Sequence, residues 1–500
     1  MTETAESTEK AELGGTSPRV AWRPVLLIAG LVAVIHLAVA TRYGWHRDEF
    51  YYVITGRHLA WGYVDQPPLT PLLARLAAAL PGGVLPLRVL AVAAEVGCVL
   101  LAAKLAAELG GLRRAQLVSA AAVAASPVFV GASVLFGTTV TDQVCWLAVM
   151  VATARALRLG TIPAWLLVGL LAGLGLENKD TIAALLVGIA LGLVITRRAV
   201  LRTAGPWLAG GLALLIALPN ILWNASYGWP WPDMRMAAVL AGRQGSALVQ
   251  VPELLLLLVG PPLIWLWVIG VRQLWGEAGR PHRWLLVVAI TAVVFIAVTA
   301  GKDYYAAPAL PGLFAAGAVR VEAANTRGGR RRWPIVLVVT GVFAVVIGLP
   351  VLPPKITNSI ASGSDGPVME TYGWTDYVHQ IVSVVDRYPA DTVIFTSNYG
   401  EAGALTILGP SEGLHNPVGS GHNAYGFWGP PSGSDVTVLC VGEFGPAYLH
   451  RYWSQVKEIA PLTLPDGLSN EETQQGAAIY LCQQPHGTWA QLWPGLTHLD

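Results

Sequence analysis

The sequence predicts a polytopic α-helical membrane protein with an α/β domain at its C-terminal end. Three observations predict it. The chain of 500 residues is 54% hydrophobic and only 13% charged, about half the charged share of a soluble domain. Apolar runs of the length that crosses a bilayer, about 20 residues, follow one another as far as residue 350. Beyond residue 351 hydrophobicity falls, Gly, Pro and Asn rise, and strand-like runs alternate with helix-like ones, the pattern of a compact α/β fold. A net charge of +1 offers no basic surface to nucleic acid, so no such partner is expected.

Eleven spans are expected, at 23–41, 85–108, 115–135, 142–157, 162–178, 180–196, 205–224, 251–271, 284–300, 303–320 and 334–350. The first is followed by Tyr43-Gly44-Trp45 rather than a small-residue cleavage site, so it reads as a retained span. With the N-terminus cytoplasmic, every inner turn is basic: Arg19 and Arg23, Arg113 and Arg114, Arg155 and Arg158, Arg197, Arg198 and Arg202, Arg272, Arg280 and Arg283, then Arg327, Arg330, Arg331 and Arg332. The short outer turns are almost free of Lys and Arg, as the positive-inside rule requires.

This divides the chain into a cytoplasmic tail over 1–22, a membrane domain over 23–350 with an outer loop at 42–84, and an extracytoplasmic α/β domain over 351–500. In the outer loop Leu69, Leu72, Leu73, Leu76 and Leu80 recur at helical spacing after Pro67-Pro68, which predicts a helix lying along the membrane surface. A second helix is expected over 48–61, and the plainer alternative for the loop is a surface anchor. In the tail, strands are expected at 392–396 and 436–441 and helices at 374–387 and 447–458. Cys440 and Cys482 both fall in the tail; an oxidising compartment allows them to pair, and the sequence leaves the pairing open.

The chemistry concentrates in the outer loop. Arg47-Asp48-Glu49-Phe50-Tyr51-Tyr52 follows the first span, and Asp65-Gln66-Pro67-Pro68-Leu69 comes soon after. Acids at a membrane boundary are costly unless they pair or react. Asp142, Glu177, Lys179, Asp180, Lys302 and Asp303, with Tyr304 and Tyr305, mark outer turns at the same level. One outer-face cavity built from several spans accounts for the set; independent solvated turn charges are the alternative. Glu95 also falls within a span, and Lys104 and Glu108, four apart, are expected to pair or snorkel. A carboxylate can accept a hydroxyl proton, and Lys179, Lys302, Arg47 and Arg57 can hold a phosphate. Together they suggest group transfer from a lipid phosphate, because no nucleotide donor is present outside the cell.

At this point the residues resemble a known family. Asp48-Glu49 followed by Asp65-Gln66-Pro67-Pro68-Leu69 is similar to the first outer loop of bacterial GT-C membrane glycosyltransferases. The closer likeness is to the dolichyl-phosphate-mannose protein mannosyltransferase-like branch that includes the lipid A aminoarabinose transferases. Thr141-Asp142, Glu177-Asn178-Lys179, Asn220-Ile221-Leu222-Trp223-Asn224 and Gly301-Lys302-Asp303-Tyr304-Tyr305 follow in the family's order. Ser397-Asn398-Tyr399-Gly400-Glu401-Ala402-Gly403-Ala404 and Ser420-Gly421-His422-Asn423-Ala424-Tyr425 resemble the outer domain of one bacterial subgroup.

The resemblance implies a GT-C type fold and transfer of a hexose or pentose from a polyprenyl-phosphate carrier to a protein, glycolipid or polysaccharide acceptor. It implies Asp48 as catalytic base and Asp142 as a second acid; Glu49, beside the base, is expected to orient Asp48 or a metal. Asp65 matches an acid that helps bind a divalent metal in aminoarabinose transferases; metal dependence varies in the family, so the cofactor stays open. Where those relatives carry Lys before Pro-Pro, this chain has Gln66, which leaves the donor phosphate to Lys179, Lys302 or an arginine. Tyr304, Tyr305, His422 and Asn423 complete the expected substrate contacts. A transporter would show internal repeats and broken spans at mid-membrane. A lipid-linked-sugar flippase would not need paired acids on one side, and a sensor would leave Asp48-Glu49 without a task.

Overall fold

The computed structural model describes residues 17–230, 232–233, 247–299, 301–324, 327–361 and 367–499. Residues 1–16 of the expected cytoplasmic tail lie outside the described residues, as do residue 300 of the ninth expected span and residues 325–326.

The first part of the chain is helical. Its helices are α1 (Trp22–Val39), α2 (Arg47–Arg57), α3 (Leu69–Ala78), α4 (Leu85–Glu108), α5 (Arg113–Ala125), α6 (Pro127–Ala132), α7 (Thr138–Leu159), α8 (Ile162–Leu176), α9 (Ile182–Thr196), α10 (Ala204–Ser226), α11 (Ala247–Glu253), α12 (Ile264–Trp275), α13 (Trp284–Thr299), α14 (Leu310–Ala324), α15 (Arg327–Gly348) and α16 (Pro354–Ala361). Every apolar run expected to span falls on helix. Among the described residues α1, α4, α7 and α10 are each long and apolar enough to cross a membrane unaided.

Three of the expected spans are broken, and each break has a local cause. The third divides at Ser126-Pro127 into α5 and α6, because proline has no N–H to continue the helix. The freed Ser126 hydroxyl donates to the Val259 carbonyl at 2.8 Å. The eighth breaks at Gly260, which takes φ +94° and where a Cβ would come 2.6 Å from Thr340 Cγ2. The tenth begins as a 3₁₀ segment, Asp303–Ala309, around Pro308 and becomes α14 only at Leu310.

Small residues draw the helices together, as in membrane interfaces generally. A Cβ on Gly270 of α12 would meet the Leu313 carbonyl of α14, and one on Gly317 would meet the Leu266 carbonyl. Leu27 and Leu31 of α1, Leu214 and Leu215 of α10 and Val294 and Val298 of α13 stay exposed, apolar faces of the kind lipid covers. Lys104 and Arg158 both pair with Glu108 at 2.9 Å, so that acid is a structural tie between α4 and α7.

The C-terminal part is an α/β fold. It runs α17 (Trp374–Val385), β1 (Thr392–Thr396), α18 (Tyr399–Leu408), β2 (Val418–Ser420), α19 (Ala424–Trp428), β3 (Ser434–Gly442), α20 (Pro446–Leu449), β4 (Trp453–Pro461), α21 (Glu471–Gln474), β5 (Ala478–Pro485) and α22 (Trp489–Leu496). The sheet order is β2-β1-β3-β5-β4. β1 lies parallel to β2 and β3, while β5 is antiparallel to β3 and β4. One face packs Tyr377, Ile381, Ile394, Leu439 and Ile479 together. The other packs Phe395, Trp453, Trp489 and Trp493.

The expected strands and the helix near 374–387 are present. The expected helix at 447–458 is corrected: only Pro446–Leu449 is helical, and Trp453 begins the edge strand β4. Trp453 is buried while Ser454 and Gln455 are exposed, so this polar edge strand carried a weak two-residue signal that a helical reading absorbed. Cys440 and Cys482 are free, buried thiols. Cys440 pairs with Tyr480 and Cys482 with Val438, so the two cysteines are diagonal neighbours on adjacent strands, with their thiols in hydrogen-bonding contact.

Candidate active site

The N-terminal turn of α2 is the centre of the site. His46 caps it: the Asp48 N–H donates to His46 Nδ1 at 3.1 Å, and the His46 N–H donates to Glu49 Oε2 at 3.0 Å. This reciprocal cap satisfies two end N–H groups. It also turns Glu49 inward and Asp48 outward.

Glu49 is fully buried. Its Oε1 lies 2.6 Å from Arg88 Nε, and its Oε2 takes a hydrogen bond from the second Arg88 nitrogen at 2.7 Å. It also accepts from the Phe136 N–H at 3.0 Å. Glu49 therefore joins α2 to α4 and to the segment before α7; its carboxylate does not face the reacting side. Arg88 was not singled out from the sequence. An arginine three residues into the expected outer end of a span, against the positive-inside pattern, was the signal for it.

Asp48 keeps a third of its side chain open. The Tyr399 hydroxyl donates to its Oδ1 at 2.9 Å. Burial pushes its carboxyl up, but His46, Arg47, the Tyr399 hydroxyl and Lys302 outweigh burial and hold it below the usual carboxylate range. Asp65 takes the Tyr51 hydroxyl at 3.1 Å. Protein encloses its carboxyl while the residue stays open to solvent, as a group lining a recess does. That enclosure, with the nearby charge of Asp48, pushes the Asp65 carboxyl up to about 7. Gln66, next in the chain, is buried, and among the described residues its side-chain amide meets no hydrogen-bonding partner.

The later turns close on these acids. Lys302 lies near Asp48 and 6.0 Å from the Tyr304 ring centroid. Lys179 sits 4.3 Å from the Tyr305 centroid and 5.9 Å from that of Tyr304, and donates to the Thr139 hydroxyl at 3.1 Å. Asp142 is buried and takes the Thr181 hydroxyl at 2.8 Å. Backbone bonds fix this arrangement: the Leu69 N–H donates to the Glu177 carbonyl at 2.8 Å, and Thr70 donates to Asn178 at 2.8 Å. The structure thus brings Asp48, Asp65, Lys302, Tyr304, Tyr305, Lys179 and Asp142 into one continuous region.

Other expected contacts are placed differently. Arg47 is bound to carboxylates of the C-terminal domain: its guanidinium meets Glu471 at 2.5 Å and Glu472 at 3.6 Å. Arg57 is exposed at the far end of α2, roughly 13 Å along the axis from Asp48. His422 and Asn423 are buried. His422 stacks between Tyr399 at 4.7 Å and His498 at 4.8 Å, so it backs the Tyr399 ring. Tyr399, Glu370, Glu471 and Glu472 were missed as site residues; of these only Tyr399 lay within a motif singled out beforehand.

A cavity of about 300 Å³ opens beside Asp65, between the outer loop, α10 and the C-terminal domain. His58, Tyr63, Trp223, Tyr227, Phe427 and Trp428 are among its lining residues. The Tyr51 hydroxyl, which serves Asp65, also accepts from the N–H of Ala424 at 3.3 Å, another residue of the cavity wall.

Residues 65–223 match the sequence profile described as dolichyl-phosphate-mannose-protein mannosyltransferase. ArnT from Cupriavidus metallidurans, solved with undecaprenyl phosphate, superposes with a TM-score of 0.59 over 91% of this chain and 97% of that one, at 13% identity. The arabinofuranosyltransferase AftD from Mycobacteria gives 0.51 over 93% of this chain and 42% of its own, also at 13% identity. The chain thus shares the overall fold of these membrane proteins, a bundle of apolar helices followed by a β-containing C-terminal part. The likeness in sequence to the mannosyltransferase profile is confined to residues 65–223. Cytochrome c1 of Rhodobacter capsulatus is 26% identical over 159 residues, 30% of this chain, which spans about half (49%) of that protein. The four cysteines, 98, 145, 440 and 482, form no Cys-x-x-Cys-His haem-attachment run.

Proposed function

We propose that the protein transfers a hexosyl or pentosyl group from a polyprenyl-phosphate carrier to an acceptor hydroxyl at the outer face of the cytoplasmic membrane. The observation that carries this reading is the convergence of Asp48 and Asp65 with Lys302 and Lys179 in one region. The orientation is the one the basic inner turns require, with the N-terminus cytoplasmic, eleven crossings and the C-terminal domain outside.

Lys302 and Lys179 hold the donor phosphate. The Gln66 amide, buried without a partner among the described residues, is turned to the donor sugar; an unsatisfied buried amide otherwise costs about 1–3 kcal/mol. The acceptor arrives from the aromatic cavity next to Asp65. Its oxygen attacks the anomeric carbon, the carbon–phosphate-oxygen bond breaks on the opposite face, and Asp48 takes the hydroxyl proton. Polyprenyl phosphate leaves with the negative charge on its oxygens, facing the lysines. One displacement inverts the anomeric centre, and Asp142 tunes the field near Lys179.

Among the described residues no three His, Cys, Asp or Glu side chains gather into a metal cage. Asp65 suits a hydrated divalent ion, which binds through one or two carboxylates plus substrate phosphate. Such an ion would supply charge neutralisation at the phosphate. The test of the reading is Asp48→Asn in liposomes holding polyprenyl-phosphate sugars. Loss of polyprenyl phosphate release with an unchanged melting temperature is expected, and near-normal release would remove Asp48 from its role.

A further inference from the structure

We propose that the C-terminal domain is part of the catalytic centre itself, with Tyr399 as the positioning residue that fixes the carboxylate of Asp48. The inference rests on the reading of Asp48 as proton acceptor.

Three successive residues of the α2 turn are each gripped by the C-terminal domain. His46 Nε2 meets Glu370 Oε2 at 2.8 Å. Arg47 meets Glu471 at 2.5 Å. Asp48 takes the Tyr399 hydroxyl at 2.9 Å. A domain that only recruited an acceptor would have no reason to bind residues 46, 47 and 48 one by one.

The backbone beneath is built for this contact. A Cβ on Gly400 would come 2.7 Å from Arg47 Cβ, and one on Gly403 would come 2.6 Å from Phe50 Cβ. Glycine at both positions lets α18 lie directly on α2. The Tyr399 ring is then held on every side. Tyr51 lies 4.4 Å away, His422 4.7 Å, and the Arg47 guanidinium 5.3 Å from the ring centroid. The hydroxyl therefore has one direction, and it holds one carboxylate oxygen while the other is left for the incoming O–H. Holding a reacting group in a single geometry removes an entropic part of the barrier, and a 1 Å misplacement costs about 10²-fold.

The groups facing Asp48 are the cap residue His46, Arg47 and Tyr52 from α2, Glu370 and Tyr399 from the C-terminal domain, Asp65 from the loop before α3, and Lys302 and Tyr304 from the late turn. Tyr399→Phe removes only one hydroxyl from this set and keeps the ring.

The experiment uses the full chain in liposomes, with the polyprenyl-phosphate sugar fraction extracted from bacterial membranes as donor and the glycolipid, polysaccharide and protein fractions of the same cells as acceptors. The readout is polyprenyl phosphate released across pH. For Tyr399→Phe, kcat falls about tenfold or more, donor KM holds within about twofold, and the acid limb moves to higher pH, because the ionised carboxylate has lost a donor. Tyr377→Phe removes another buried hydroxyl, one that meets Glu401 inside the domain. It lowers the melting temperature and leaves the pH profile in place. Unchanged kcat and pH profile in Tyr399→Phe overturns the proposal, as does a loss in both variants that simply follows their melting temperatures. Silence of the wild type overturns the glycosyl-transfer reading, and this inference with it.

Discussion

Glu49 Oε1 lies 2.6 Å from Arg88 Nε, with side-chain exposures of 0% and 3%. This buried pair locks the acid-bearing turn onto the second expected span. Removing one partner strands a charge, at roughly 3–5 kcal/mol. Glu49→Gln and Arg88→Met are each expected to lower the melting temperature in detergent and to lose activity in step. The double variant recovers part of the stability. Full stability with lost turnover in Glu49→Gln would show that this acid acts on the chemistry directly.

The lysines predict a binding defect. Lys179→Met and Lys302→Met are each expected to weaken undecaprenyl phosphate binding about 10–100-fold, at 1.4 kcal/mol per factor of ten. Lys302, nearer Asp48, should also lower kcat, while Lys179 acts mainly on KM. Titration of tryptophan fluorescence with undecaprenyl phosphate separates the two. Binding unchanged in both variants would move the phosphate elsewhere.

Asp65 predicts a neutral-pH transition. Its carboxyl is pushed up to about 7 by burial and the neighbouring charge of Asp48, so it is protonated below that value and ionised above. Donor cleavage should rise with pH through about 7, and Asp65→Asn should remove that limb. Because its folded value is raised, its contribution to stability is present below the unfolded range near 4 and is lost as pH rises through about 7. If a divalent ion sits there, EDTA suppresses the alkaline activity of wild type and leaves Asp65→Asn unchanged. A pH profile with the same limb in both proteins would exclude Asp65 as its source.

The His46–Glu370 contact predicts a second pH effect, on docking of the C-terminal domain. Burial lowers His46, but Glu370 and Asp48 raise it further, to a net value above its ordinary one. Burial raises Glu370, and His46 brings it below its ordinary range. The histidine's contribution is complete below about 6.5 and fades as pH climbs through its raised folded value. The glutamate's contribution is present above about 4.3 and fades as pH falls through its lowered folded value. Protease resistance of the seam between the domains should therefore be greatest in the weakly acidic range. His46→Gln should flatten its alkaline decline; an unaltered decline would assign the effect to other groups.

Much of the helical frame was legible because a bilayer imposes a long, one-sided chemical demand that composition alone reveals. The level of Asp48, Asp65, Lys179 and Lys302 followed from counting turns. What the sequence hid depends on distance along the chain. Whether Arg47 meets a phosphate or Glu471 is decided by residues more than 400 positions away, which no local pattern encodes. The 447–458 helix failed because an edge strand with one wet face lacks the strong apolar run of β1 and β3. Glu49 beside Asp48 looked like a matched pair; only the reciprocal cap with His46 shows that one is sent inward and the other outward.

The Tyr399–Asp48 contact joins residues 351 positions apart. During synthesis the acid-bearing turn emerges early and waits unclasped while the bundle is assembled around it. Its geometry is completed only when the late sheet has formed and docked. A half-made chain would thus hold the lysines and both aspartates while the turn that carries Asp48 still lacked its last clasp.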